Sequence, residues 1–74
     1  MISNPEVAKR VSDLMLDVFY RLDASIPDVK RECSVEEAAT YQKAVGRVAG
    51  AIVMDVLEPL YRKNPMLKPH NWDE

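Results

Sequence analysis

Few residues in this 74-residue chain have side chains and neighbours from which a reaction could be built. Cys33 is the single cysteine and stands directly before Ser34-Val35-Glu36-Glu37, a sequence that opens a helix. The positive end of a helix lowers a thiol pKa, which is how reactive thiolates arise. With no second cysteine and no assured basic neighbour, Cys33 reads as an ordinary loop thiol. His70 is the one histidine, followed by Asp73 and Glu74. A proton switch or a metal centre there would need further converging ligands, and one Cys with one His falls short of the roughly four that structural zinc takes. Asp13 and Asp17 are four residues apart, a spacing that places two carboxylates on one helix face for acid–base work or a divalent cation. Arg10 and Arg21 flank them at three- and four-residue spacings, so a salt-bridged, solvated face is the preferred reading. No catalytic, metal-ligating or cofactor-binding set emerges. The chain reads as non-enzymatic, with no cofactor.

One charge feature has a spatial logic. Lys9 and Arg10 lie near the start of a first helix, and Arg62 and Lys63 near the end of a second. Antiparallel packing brings these four to one end, with Lys68 close by, as a candidate anion contact. Cations also suit a helix C-terminus through the dipole. Ten basic against twelve acidic residues give a net charge of −2. That argues against a general binder of phosphate backbones, which carries a basic excess.

The elements that would position these residues are legible from periodicity. Asn4-Pro5-Glu6 can start a helix, with Asn4 as cap and Pro5 at the first position; Ser3 with Glu6 is the alternative cap. Val7, Val11, Leu14, Met15, Val18, Leu22 and Ile26 follow at helical spacing. Pro27 should end this helix, because the residue before a proline is pushed out of the helical region. Helix 1 is therefore expected over about 5–26. Residues 27–33 read as a polar connection. Ser34 and Glu37 then form a capping box for helix 2, expected over about 35–58, with the stripe Val35, Ala38, Val45, Val48, Ala49, Ile52, Val53, Val56, Leu57 and Leu60. Pro59 lies inside that pattern and predicts a kink or a short extra turn at 59–63. Two prolines then suggest an extended tail over 64–74, which Met66, Leu67 and Trp72 could dock.

The expected fold is all-α: an antiparallel two-helix hairpin over 1–63 with an extended C-terminal tail, dimerising into a four-helix bundle. A chain this short is marginal alone and usually needs a disulfide, a metal or a partner chain. The first two are missing from the sequence, so the partner is assigned to a second copy. The apolar stripes also exceed what one seam covers. Leu16, Phe19 and Tyr20 lie off the side of helix 1, and Gly46, Gly50, Val53 and Leu57 run along a flank of helix 2; these are the expected dimer interface. Glycines in mid-helix cost about 1 kcal/mol each relative to alanine. Close approach of a partner backbone would explain Gly46 and Gly50, and room for Phe19 or Tyr41 is the competing explanation. Tyr20, Tyr41, Tyr61 and Trp72 are candidate contact aromatics.

The first ten residues show no signal-peptide pattern, no apolar run approaches the roughly 20 residues of a membrane span, and one cysteine fits a reducing compartment. The expectation is a soluble cytoplasmic protein. The leading functional expectation is a homodimeric interaction module that meets another protein through a helix face or the tail. A small nucleic-acid-associated regulator using the basic end stands second. An enzyme with a site between protomers, built from Tyr41, Arg47 or the acidic pairs, stands third; Gln42 or Arg47 facing an internal cavity would favour it.

Overall fold

A computed structural model describes residues 1–70 and 72. The expected tail residues Asn71, Asp73 and Glu74 lie outside the described residues. Every regular element among the described residues is helical: α1 Pro5–Glu32, α2 Val35–Ala51, a π turn Ile52–Leu57, α3 Glu58–Lys63 and a 3₁₀ turn Pro65–Leu67.

Helix α1 starts as its sequence demands. The Asn4 side chain accepts from the N–H groups of Glu6 and Val7 at 3.0 and 3.2 Å, which settles Asn4 over Ser3 as the cap. The helix does not stop at Ile26. It passes through Pro27 and ends at Glu32, capped by the Cys33 N–H donating to Val29 O. Pro27 cannot donate to the Asp23 carbonyl, and its ring crowds it. Both residues are exposed, so that carbonyl faces solvent rather than an apolar core, and the helix tolerates the break. Asp28 and Arg31, 2.6 Å apart, brace the turn beyond it. The expected polar connection is consequently mostly helix, and only Cys33 and Ser34 join the rods.

Helix α2 opens on the expected capping box: Glu37 N–H donates to Ser34 Oγ at 3.1 Å and Ser34 N–H to Glu37 Oε1 at 3.2 Å. Pro59 leaves its mark before its own position. It has no N–H for Asp55, and the preceding turn widens so that the Glu58 N–H donates five residues back, to Val53 O. The chain then continues as α3 without a stop. This widening decides which residues face α1. In an uninterrupted α-helix, steps of four, seven and eight from Ile52 would turn Val56, Pro59 and Leu60 inward. The extra residue in the π turn rotates the remainder by about one position, and Leu57 and Tyr61 are buried along with Leu60.

The rods match in length. Twenty-eight residues at about 1.5 Å each span about 42 Å, close to the 44 Å long axis of the molecule. The core is concentrated at one end, where Ala8 meets Leu57, Leu60 and Tyr61, with Val11, Met15, Ile52 and Leu67 around them. The deepest positions on α1 are Ala8 and Ser12, not the larger Val7 and Leu14 of the predicted stripe; Leu14 is 54% exposed. Small side chains there let α3 approach. Val35, at the head of the predicted α2 stripe, is 86% exposed, while Ala38 and Val45 are buried.

Two serine–tyrosine pairs tie the rods together. Ser12 Oγ and Tyr61 OH are 2.6 Å apart in the core. Nearer the turn, Ser25 Oγ and Tyr41 OH are also 2.6 Å apart. Ser25 donates its one proton to Leu22 O at 2.6 Å, so Tyr41 is the donor in that pair.

The segment after α3 is folded rather than extended. Asn64 Nδ2 donates to Ile2 O at 2.7 Å and joins it to the chain's other end. Beyond the 3₁₀ turn, Trp72 packs back onto the core edge.

Candidate interaction surface

Residues expected to associate converge on one side of the hairpin. Leu16, Phe19 and Tyr20 of α1 and Val53 and Leu57 of the π turn line a single groove, closed at one wall by Trp72. The Phe19 and Tyr20 rings meet edge-to-face with centroids 5.7 Å apart. Tyr20 is exposed, Leu16, Phe19 and Val53 are half-buried, and Leu57 is fully buried in the chain's own core. Leu57 therefore supports the groove from below and offers no surface of its own.

Gly46 and Gly50 precede Val53 at steps of four and three, which places all three on one face of the second rod. Both glycines are exposed, and a Cβ added at either would meet nothing within 4 Å. Room for Phe19 or Tyr41 is thus not what the glycines provide. Among the described residues, no neighbour fills the space beside either glycine.

The basic end forms only in part. Contact of Ala8 with Leu60 and Tyr61 brings Lys9, Arg10, Arg62 and Lys63 to the same end of the molecule, and all four are exposed. Lys9 is paired with Asp13 at 3.1 Å, a partner that the sequence reading assigned to Arg10. Arg62 and Lys63 occupy the last turn of α3, where the helix dipole favours cations. Beside them a shallow depression is lined by Glu58, Tyr61, Arg62, Pro65 and Lys68, so an anion seated there would meet the Glu58 carboxylate.

The residues considered for chemistry lie apart. Among the described residues no group of three His, Cys, Asp or Glu side chains could hold a metal ion. Cys33 is a free, exposed thiol and His70 is exposed; Asp73 and Glu74, its suggested companions, lie outside the described residues. Asp17 lies 3.8 Å from Arg21, as the spacing predicts. Ser12 and Tyr61 are hydrogen-bonded hydroxyls, but both are buried beyond reach of a substrate. Arg47 and Gln42 are exposed, and Gln42 borders a groove with Lys30, Val35, Ala38 and Ala39. A broad hollow is lined by Glu36, Glu37, Thr40, Tyr41 and Ala44, all on α2, and so is one helix flank rather than a cleft between elements.

The residues that sequence reading missed are Ala8, Ser12, Ser25 and Glu58. Ala8 and Ser12 share a four-residue step with Met15 and Phe19 close behind, a second stripe as regular as the one chosen. Glu58 acts through Trp72, whose Nε1 donates to Glu58 Oε1 at 3.0 Å; nothing in the local sequence announces a bond between residues 14 apart. No helix among the described residues is long and apolar enough to cross a membrane. Protein-family models, curated proteins and solved structures were each searched, and none matches this chain.

Proposed function

We propose that this chain is a non-enzymatic interaction module that works as a homodimer, two hairpins pairing into a four-helix bundle whose outer faces meet another protein. The observation that carries this reading is an excess of surface. The chain exposes 5553 Å². A compact monomer of this mass exposes about 4,600 Å², so roughly 900 Å² remains to be covered. The radius of gyration, 14.6 Å, likewise exceeds the value of about 11 Å for a compact domain of this length. A standard interface hides about 800 Å² on each partner, which is the same size. Hiding about 1,000 Å² of apolar area in total represents a gross gain of about 25 kcal/mol before entropy costs, enough to decide the oligomeric state.

The face proposed for the second copy is the side bearing the exposed Tyr20, Gly46 and Gly50, with the half-buried Leu16, Phe19 and Val53 at its edge. A two-fold axis makes such a patch self-complementary. The lone exposed thiol of Cys33 suits a reducing compartment such as the cytoplasm.

The glycines give a test whose sign distinguishes the alternatives. Each chain has open space at both positions, so alanine there should stabilise an isolated hairpin by about 1 kcal/mol per site through helix propensity. Against a close partner backbone the added methyl clashes, and association weakens. Light scattering and thermal melts of Gly46→Ala, Gly50→Ala and Gly50→Leu, compared with the unaltered chain, read both effects. Weaker dimerisation, strongest for leucine, is expected. Dimers of undiminished affinity in all three would exclude this face.

A further inference from the structure

The chain's own C-terminal segment lies against part of the surface assigned above to the second copy. Trp72 Nε1 donates to Glu58 Oε1 at 3.0 Å, and the indole stands edge-to-face on Tyr61 with centroids 5.1 Å apart and planes at 82°. In that position it forms a wall of the groove made by Leu16, Phe19, Tyr20, Val53 and Leu57. The fit is incomplete: a cavity of about 60 Å³ remains in the groove. The run leading to Trp72 is held at some positions and open at others. Met66 is 96% exposed and Pro65 is exposed, while Leu67 packs on the core and the Asn64 side chain bonds Ile2 O.

We infer that the described segment 65–70 together with Trp72 is a displaceable strap, with Trp72 as a plug that competes with the second copy for the Leu16–Phe19–Val53 part of the face. This rests on the homodimer reading. A tethered segment acts at an effective concentration in the millimolar range for a short connection. The plug therefore wins in dilute solution, and the second copy displaces it as protein concentration rises. Apolar surface that the indole covers in the single chain becomes available to the dimer once the indole leaves. The strap sets the concentration at which the module pairs.

Trp72 is the only tryptophan, so its fluorescence reports the plug directly in the unaltered chain. In a dilution series across the association midpoint, followed in parallel by sedimentation, emission should move to longer wavelength and acrylamide quenching should rise as dimer forms. Trp72→Ala removes the plug, and Glu58→Ala removes its hydrogen-bond acceptor while leaving the indole in place. Both should tighten dimerisation by about tenfold or more. A dimer that forms with Trp72 emission unchanged or shifted to shorter wavelength, or that weakens in both variants, overturns the strap but leaves the homodimer standing. An unaltered chain that stays monomeric while Trp72→Ala dimerises supports the plug. Monomers throughout would overturn the homodimer reading and the strap with it.

Discussion

The Ser12–Tyr61 pair allows the packing of α1 on α3 to be tested at the level of single hydroxyl groups. Both side chains are buried, with relative exposures of 4% and 3%, and their oxygens are 2.6 Å apart. A buried hydroxyl left without a partner costs about 1–3 kcal/mol, whereas removing both members can be nearly neutral. The two single variants are not equivalent. In Tyr61→Phe the remaining Ser12 hydroxyl can turn to the Ala8 carbonyl four residues back, as helical serines do, so the cost should be about 1 kcal/mol. In Ser12→Ala the Tyr61 hydroxyl stays in the core with nothing to bond, and about 2 kcal/mol is expected. The double variant should cost less than the sum by about 1 kcal/mol, which is the coupling between contacting residues. For a domain of this size 1 kcal/mol moves the melting point by about 4–8 °C, well within reach of circular dichroism. All four proteins must be melted at one concentration, because association contributes to apparent stability. Additive costs, or Ser12→Ala melting with the unaltered chain, would show that α3 does not present Tyr61 to α1.

Other substitutions probe the remaining features. Pro27→Ala restores a donor for the Asp23 carbonyl inside α1 and should stabilise by about 1–3 kcal/mol in urea titrations, less the entropy that proline removes from the unfolded chain; a loss of stability would mean that the helix does not continue to Glu32. Leu57→Ala should cost about 3 kcal/mol and leave so small a chain largely unfolded. If it instead melted normally and only failed to dimerise, Leu57 would be at an interface and not in the core. Tyr41→Phe, at a half-buried pair where water can replace the lost donor, should cost no more than about 1 kcal/mol by the same melts; a larger loss than Ser12→Ala would invert the assigned burial of the two pairs.

What the sequence made legible was chiefly local. Asn4-Pro5 and Ser34-x-x-Glu37 marked two helix starts because capping depends on groups within one turn of each other. The all-helical hairpin followed from three- and four-residue spacings, which are also short-range. Misreadings arose where a distant contact or solvent decided. Pro27 reads locally as a stop, yet it and Asp23 are both exposed and the helix runs on to Glu32. Pro59 was expected to bend or end the rod, and it is accommodated by the π turn, which exchanges Val56 for Leu57 at the core. Leu57, which belongs both to the apolar stripe of helix 2 and to the expected dimer interface, is interior. On α1 the larger Val7 and Leu14 outweighed Ala8 and Ser12 in the reading, although close approach of Tyr61 favours small residues there. The tail looked extended from its prolines; its fold depends on Tyr61, Glu58 and Ile2, all remote from it in sequence or on another element.

One hairpin leaves more surface uncovered than a compact single chain of its mass, and we propose that a second copy covers it. Sedimentation equilibrium of the unaltered chain, from sub-micromolar to hundreds of micromolar, tests it most directly. A reversible rise in mass to twice the 8.4 kDa of the chain is expected, with melting temperature climbing in step. A mass fixed at that of one chain over the whole range, together with a sharp melt independent of concentration, would contradict it.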